Sequence, residues 1–132
     1  ARRRPRLDWA AARIGARHTV NTLLAARWTY LALIALQPTW HALLPPPAGS
    51  GSWILAAIAT VPLLLPLRGV WVGSLRAMTW AGYLSMLYFV VGVMEAWANP
   101  PQRLAALIQI ALVAGLVASI FVFSRRARRP AG

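Results

Sequence analysis

No cysteine occurs in the chain, which excludes internal disulfides, thiolate metal sites, Fe–S clusters and thiol nucleophiles. Lysine is absent too, and the only acids are Asp8 and Glu95. Against them stand 14 arginines, giving a formal charge of +12. Charged residues make up 12% of the sequence, about half the share usual in a soluble domain, while 59% are hydrophobic. So few polar side chains cannot cover a water-facing surface, and the composition points to lipid.

The scarcity of polar chemistry also restricts function. With two histidines, two acids and no thiol, the chain holds no complete ligand set for zinc, iron or haem, and neither metal nor cofactor is expected. The serines at 50, 52, 74, 85, 119 and 124 have no histidine–acid arrangement on the same membrane side. Phosphate-loop and dinucleotide glycine patterns are missing. Hydrolase, kinase and dehydrogenase readings are therefore rejected, and no catalytic residue is assigned.

What is present is arginine at the ends and apolar runs between. Seven arginines precede residue 28 and four follow residue 124. A nucleic-acid binder would spread this charge over a folded polar surface, so no nucleic-acid partner is expected. Arg2, Arg3, Arg4 and Arg6 open the chain, and Arg125, Arg126, Arg128 and Arg129 close it. Both groups read as topology determinants that anchor to anionic lipid headgroups.

Four apolar stretches are expected to cross the membrane, over about residues 22–44, 53–67, 77–98 and 104–123. They form one transmembrane domain, 22–123, between a basic amphipathic arm at 1–21, expected to lie along the interface, and a basic tail at 124–132. The apolar stretch behind the first arginines is too long for a signal peptide and has no small-residue cleavage site, so the first helix is expected to be retained.

Pro45, Pro46 and Pro47 with the following glycines end the first helix, and Asn99-Pro100-Pro101 ends the third. The second stretch is short and carries Pro62 and Pro66, which predicts a kink. Arg68 and Arg76 fall in the middle loop. Of all the arginines, Arg103 alone falls on the face opposite the two ends. Cytoplasmic loops accumulate arginine, so both termini are expected on the cytoplasmic side. Trp28, Trp71, Trp80 and Tyr83 form one interfacial belt, and Trp40, Trp53 and Trp97 the other.

Two phrases carry a family resemblance: Val61-Pro62-Leu63-Leu64-Leu65-Pro66-Leu67-Arg68-Gly69, and the run from Tyr88-Phe89-Val90-Val91-Gly92 through Met94-Glu95-Ala96-Trp97 to Asn99-Pro100. They resemble the proteobacterial family designated domain of unknown function 2069. The resemblance covers roughly residues 22–123. It implies a small bacterial inner-membrane protein with four hydrophobic helices, and brings no catalytic residues with it.

Glu95 is the one acid inside an expected span, where a carboxylate pairs, stays protonated or faces water. At helical spacing Gly92, Glu95 and Asn99 share a face with Ser85 below them, a small and polar stripe expected to face protein. Gln37 and His41 of the first helix and Arg103 and Gln109 of the fourth lie at the same level, so a polar cluster around Glu95 is geometrically open. The plain reading is a tie from Glu95 to Arg103; the sharper one is a proton or ligand site. Ala111, Gly115 and Ser119 form a small-residue stripe suited to close packing of a neighbouring helix, with intramolecular packing the simpler reading. The leading expectation is a non-enzymatic accessory, structural or assembly subunit of a larger membrane complex, such as an energy-transducing one, in contact with other integral membrane subunits. The alternative is a small oligomeric transporter or proton-conducting protein using Glu95.

Overall fold

The computed structural model describes residues 8–129. Arg2, Arg3, Arg4 and Arg6 lie outside the described residues. Helix α1 runs over Asp8–Pro38 and continues without a break into a π-helical turn at Thr39–Leu43. The segment expected to form a separate interfacial arm is therefore, from Asp8 onward, the first turns of the same rod. Nothing in residues 8–21 breaks a helix: there is no proline, and alanine and arginine are good helix formers.

Pro38 acts only at the far end. It has no N–H to donate, and the next turn widens to i→i+5 bonding, with Leu44 N donating to the Thr39 carbonyl at 2.9 Å. The Thr39 hydroxyl donates to the Ala35 carbonyl at 2.8 Å, supplying a donor where the ladder is disturbed.

Helix α2, Trp53–Leu64, starts on a Ser52 cap whose hydroxyl accepts Leu55 N at 3.2 Å. It ends earlier than the 53–67 expected. Pro66 cannot donate, the chain bends at Leu65, and a separate helix α3 forms over Leu67–Val72. The stretch expected to be a loop is thus largely helical. Gly73, at φ 85°, takes the left-handed conformation that ends α3. Helix α4, Leu75–Ala98, begins on a Ser74 cap, and a 3₁₀ turn at Pro100–Gln102 leads into α5, Arg103–Ala127.

Helix α5 lies between α1 and α4 and packs along both. Toward one end the core is apolar: Ala26, Tyr30 and Leu33 of α1, Met78 and Ala81 of α4, and Val113, Leu116 and Ile120 of α5 are all buried. A smaller cluster of Trp40, Ala105 and Ala106 closes the other end. Gly92 permits a close approach of α4 to α5, since a Cβ there would meet the Ile110 side chain at 3.0 Å and the Ala106 carbonyl at 3.3 Å.

The charged ends sort by position. The Arg27 guanidinium sits over the Trp71 ring at 5.3 Å, and Gly73 abuts Leu23. His18 of α1 and Arg126 and Arg129 near the end of α5 border one groove. The early part of α1, the α3–α4 connection and the end of α5 therefore share one end of the bundle. Arg103 lies at the opposite end, one residue beyond Gln102, which bonds Trp40. Trp40 itself is not an interfacial anchor as expected: it is fully buried and donates to Gln102 Oε1 at 2.8 Å. Trp53 and Trp97 at that end, and Trp28, Trp71, Trp80 and Tyr83 toward the other, are exposed.

Candidate functional site

In the half of the bundle that carries Arg103 but no other arginine among the described residues, the helices are joined by polar side chains. Gln37 Nε2 donates to Gln109 Oε1 at 2.9 Å and also lies 3.2 Å from the Leu33 carbonyl. Gln109 Nε2 donates in turn to the main-chain carbonyl of Tyr88 at 2.7 Å. Both glutamines are essentially inaccessible, so their amides need these partners. One amide pair thereby links α1, α5 and α4.

Two tyrosines extend the network to α2. The Tyr88 hydroxyl donates to the Ala59 carbonyl, and the Tyr30 hydroxyl to the Leu63 carbonyl. Leu63 is in the last turn of α2, where the interruption before Pro66 leaves carbonyls without an intrahelical donor. The buried hydroxyl of α1 donates to one of them, so a carbonyl freed by the break is satisfied away from water.

A cavity of about 400 Å³ opens beside this network. Its polar wall carries Gln37, Gln109, His41, Ser50, Gln102 and Glu95, and its apolar wall carries Leu55, Ile58, Leu84, Leu87 and Val91. His41 Nδ1 lies 3.1 Å from Ser50 Oγ, and the loop that bears Ser50 folds over the end of α1. Ser50 N and Ser52 N donate to the carbonyls of Trp40 and His41 at 3.3 and 2.6 Å. Gly49 is required in that loop, because a Cβ would overlap the Leu44 and Trp40 carbonyl oxygens.

Glu95 is half-buried at the rim, and its carboxylate accepts a hydrogen bond from the Asn99 side-chain amide one turn on. The tie from Glu95 to Arg103 is not formed among the described residues. Arg103 is exposed, and its Nε donates to the Ala96 carbonyl at 2.8 Å. The reason is local: the 3₁₀ turn folds Arg103 back over the end of α4, where unpaired carbonyls and the negative end of the helix dipole attract a cation.

Of the other candidates, Ser85 and Gly92 are buried on the inner face of α4, and Asn99 is exposed at its end. The α5 stripe is divided. Gly115 lies toward Thr29 of α1, which a Cβ would meet at 3.7 Å, and Ser119 is half-buried, while Ala111, Ala114 and Ala118 face outward. Arg125, Arg128 and Arg129 are exposed and Arg126 is half-buried. Tyr88, Gln102 and Ser50 are site residues that sequence reasoning missed. For Tyr88 a signal existed, since it falls on the same helical face as Ser85, Gly92 and Glu95; for Gln102 and Ser50, both in or beside turns, there was none.

Among the described residues, three helical segments are long and apolar enough to cross a membrane: Trp9–Leu43, Leu75–Ala98 and Pro100–Ala127. Together with a shorter apolar helix, Trp53–Leu64, they define an all-helical polytopic membrane protein. The chain belongs to the family described as predicted membrane protein (DUF2069), whose sequence model matches residues 25–128. The match runs past the apolar domain and takes in the first arginines of the tail. No curated protein and no solved structure matches the chain.

Proposed function

We propose that the chain crosses a bacterial inner membrane four times, with both ends cytoplasmic, and serves without enzymatic activity as an accessory or assembly subunit of a larger membrane complex. Helix α2 alone reaches about 18 Å, but residues 53–72 taken together as a broken span reach about 30 Å, the thickness of the hydrocarbon core. An even number of crossings agrees with the gathering of Arg27, Arg126 and Arg129 toward one end. Anionic headgroups of the cytoplasmic leaflet are the lipid partners of that end.

The observation that carries the subunit role is the outward face of α5. At mid-helix it presents Ala111, Ala114 and Ala118 beside Gly115, flanked by the bulky Leu107, Ile108 and Phe121. Contact with lipid alone asks only for apolar side chains; a shallow, small-residue strip between larger ones suits the close approach of a helix from another chain. The buried amides favour the same role, because Gln37 and Gln109 are committed to each other and to main-chain carbonyls.

Gentle detergent extraction from native membranes should yield stoichiometric larger partners, and Ala114→Leu with Ala118→Phe should release them while the bundle stays helical. Recovery of a lone chain with both wild type and variant would overturn the role. Topology has its own test, made simple by the absence of cysteine. Single cysteines at Ala12 and Arg128 should react with an impermeant reagent from the cytoplasmic side, and one at Ala48 from the other.

A second reading, proton conduction, draws on the placement of Glu95, His41 and Ser50 on one cavity wall. It requires pH-driven flux in liposomes that Glu95→Gln abolishes.

A further inference from the structure

The cavity beside the amide network does not end at mid-bundle. A second one, of about 490 Å³, continues it toward the arginine-bearing end, and the two share Pro62 and Leu84 as lining residues. Together they make one groove along the seam between α2 and α4. From Arg76 at its foot to Glu95 at its top it follows α4 for about 28 Å, close to the full thickness of the hydrocarbon core. Its two walls differ from its two ends. Ile58 and Leu65 on one side and Leu87 on the other are apolar and exposed, so the groove opens sideways into lipid. At the foot stand the exposed Arg76 and Trp80.

We propose that this groove is a binding site for one anionic phospholipid, with its phosphate on Arg76 and an acyl chain lying between α2 and α4 past Pro62 and Leu84. Two observations select this occupant over a partner helix. The seam is narrow: α2 and α4 approach within 8 Å between Cα atoms, and the Tyr88 hydroxyl ties them together, whereas a helix with its side chains is about 10–12 Å across. A single hydrocarbon chain needs far less width. The charge is also placed for it, since a guanidinium at the interface end of an apolar slot complements a phosphate whose chain continues inward. The short α2 is what creates the slot. Its interruption at Leu65–Pro66 opens the lower half, and the two tyrosine hydroxyls hold it at a fixed distance from its neighbours. The site rests on the proposed placement of α2 within the bilayer and needs no partner subunit.

The test is native mass spectrometry of the purified protein in detergent with added phosphatidylglycerol or phosphatidylcholine. One phosphatidylglycerol per chain should survive desolvation, in preference to phosphatidylcholine. Leu84→Trp, which fills the waist, should reduce retention to that of loosely associated lipid. Ile58→Trp fills the groove from the exposed face of α2, and should do the same should Leu84→Trp disturb folding. Arg76→Gln should weaken the phosphatidylglycerol preference about fivefold, as loss of one interfacial cation implies. Arg128→Gln, away from the groove, should leave retention unchanged. Retention unaffected by either tryptophan, or sensitive to Arg128→Gln as much as to Arg76→Gln, would overturn the proposal.

Discussion

Toward the arginine-bearing end α1, α4 and α5 meet through Ala26, Leu33, Met78, Ala81, Val113 and Leu116; toward the other end the same helices meet through Gln37, Gln109 and the main chain of Tyr88. In lipid, burying an apolar side chain brings little solvent-driven gain, because the hydrocarbon outside is as apolar as the protein inside. The first region therefore depends on fit between side chains. The second depends on amides that would otherwise be unsatisfied in a medium without water. The cavity beside the polar region continues downward along the short α2, which packs less extensively than α1, α4 or α5.

The difference can be broken from either side. Leu116→Ala removes a fully buried side chain from the fitted region and, because only the cavity part of a core truncation remains in lipid, should cost about 1–3 kcal/mol in reversible unfolding in mixed micelles. A loss well under 1 kcal/mol there would mean that the apolar core is loosely packed. Gly92→Leu, at the α4–α5 contact, should cost about 1–3 kcal/mol by overpacking against Ile110 and the Ala106 carbonyl.

Smaller effects belong to the polar region. Gln109→Leu should cost about 0.6–2 kcal/mol, since hydrogen bonds between membrane helices contribute modestly once alternative partners are counted. Tyr88→Phe should cost about 1 kcal/mol and be read best in α2, as faster hydrogen exchange of its amides without comparable change in α5. Least of all, a double-mutant cycle of Glu95→Gln and Arg103→Gln should give a coupling within about 0.5 kcal/mol of zero, because the two side chains have separate partners. A coupling above 1 kcal/mol would restore the pair that the sequence suggested.

Much of the fold was legible because apolar length and proline are local properties. The third helix was expected over 77–98 and runs over Leu75–Ala98; the fourth was expected over 104–123 and extends to Ala127, since arginine continues a helix even where it leaves the hydrocarbon. The second was misjudged at its end. Its hydropathy continues through Leu67, but Pro66 interrupts the ladder, and the Leu63 carbonyl in the last turn takes its donor from Tyr30, 33 positions earlier. Gln37, His41, Gln109 and Glu95, expected at one level, line one cavity, but no chain of hydrogen bonds links all four. The glutamines bond each other, His41 turns to Ser50, and Glu95 stays with Asn99 on its own helix.

Hydropathy and the arginine bias by themselves made this an all-helical membrane protein, because the cost of exposing a backbone amide to hydrocarbon acts on each segment regardless of its neighbours. Which buried amide meets which carbonyl, where Arg103 turns, and that α2 and α4 leave a groove between them were decided only when the helices came together. A hydrogen bond is made within about 3 Å in space, and nothing along the chain records that separation.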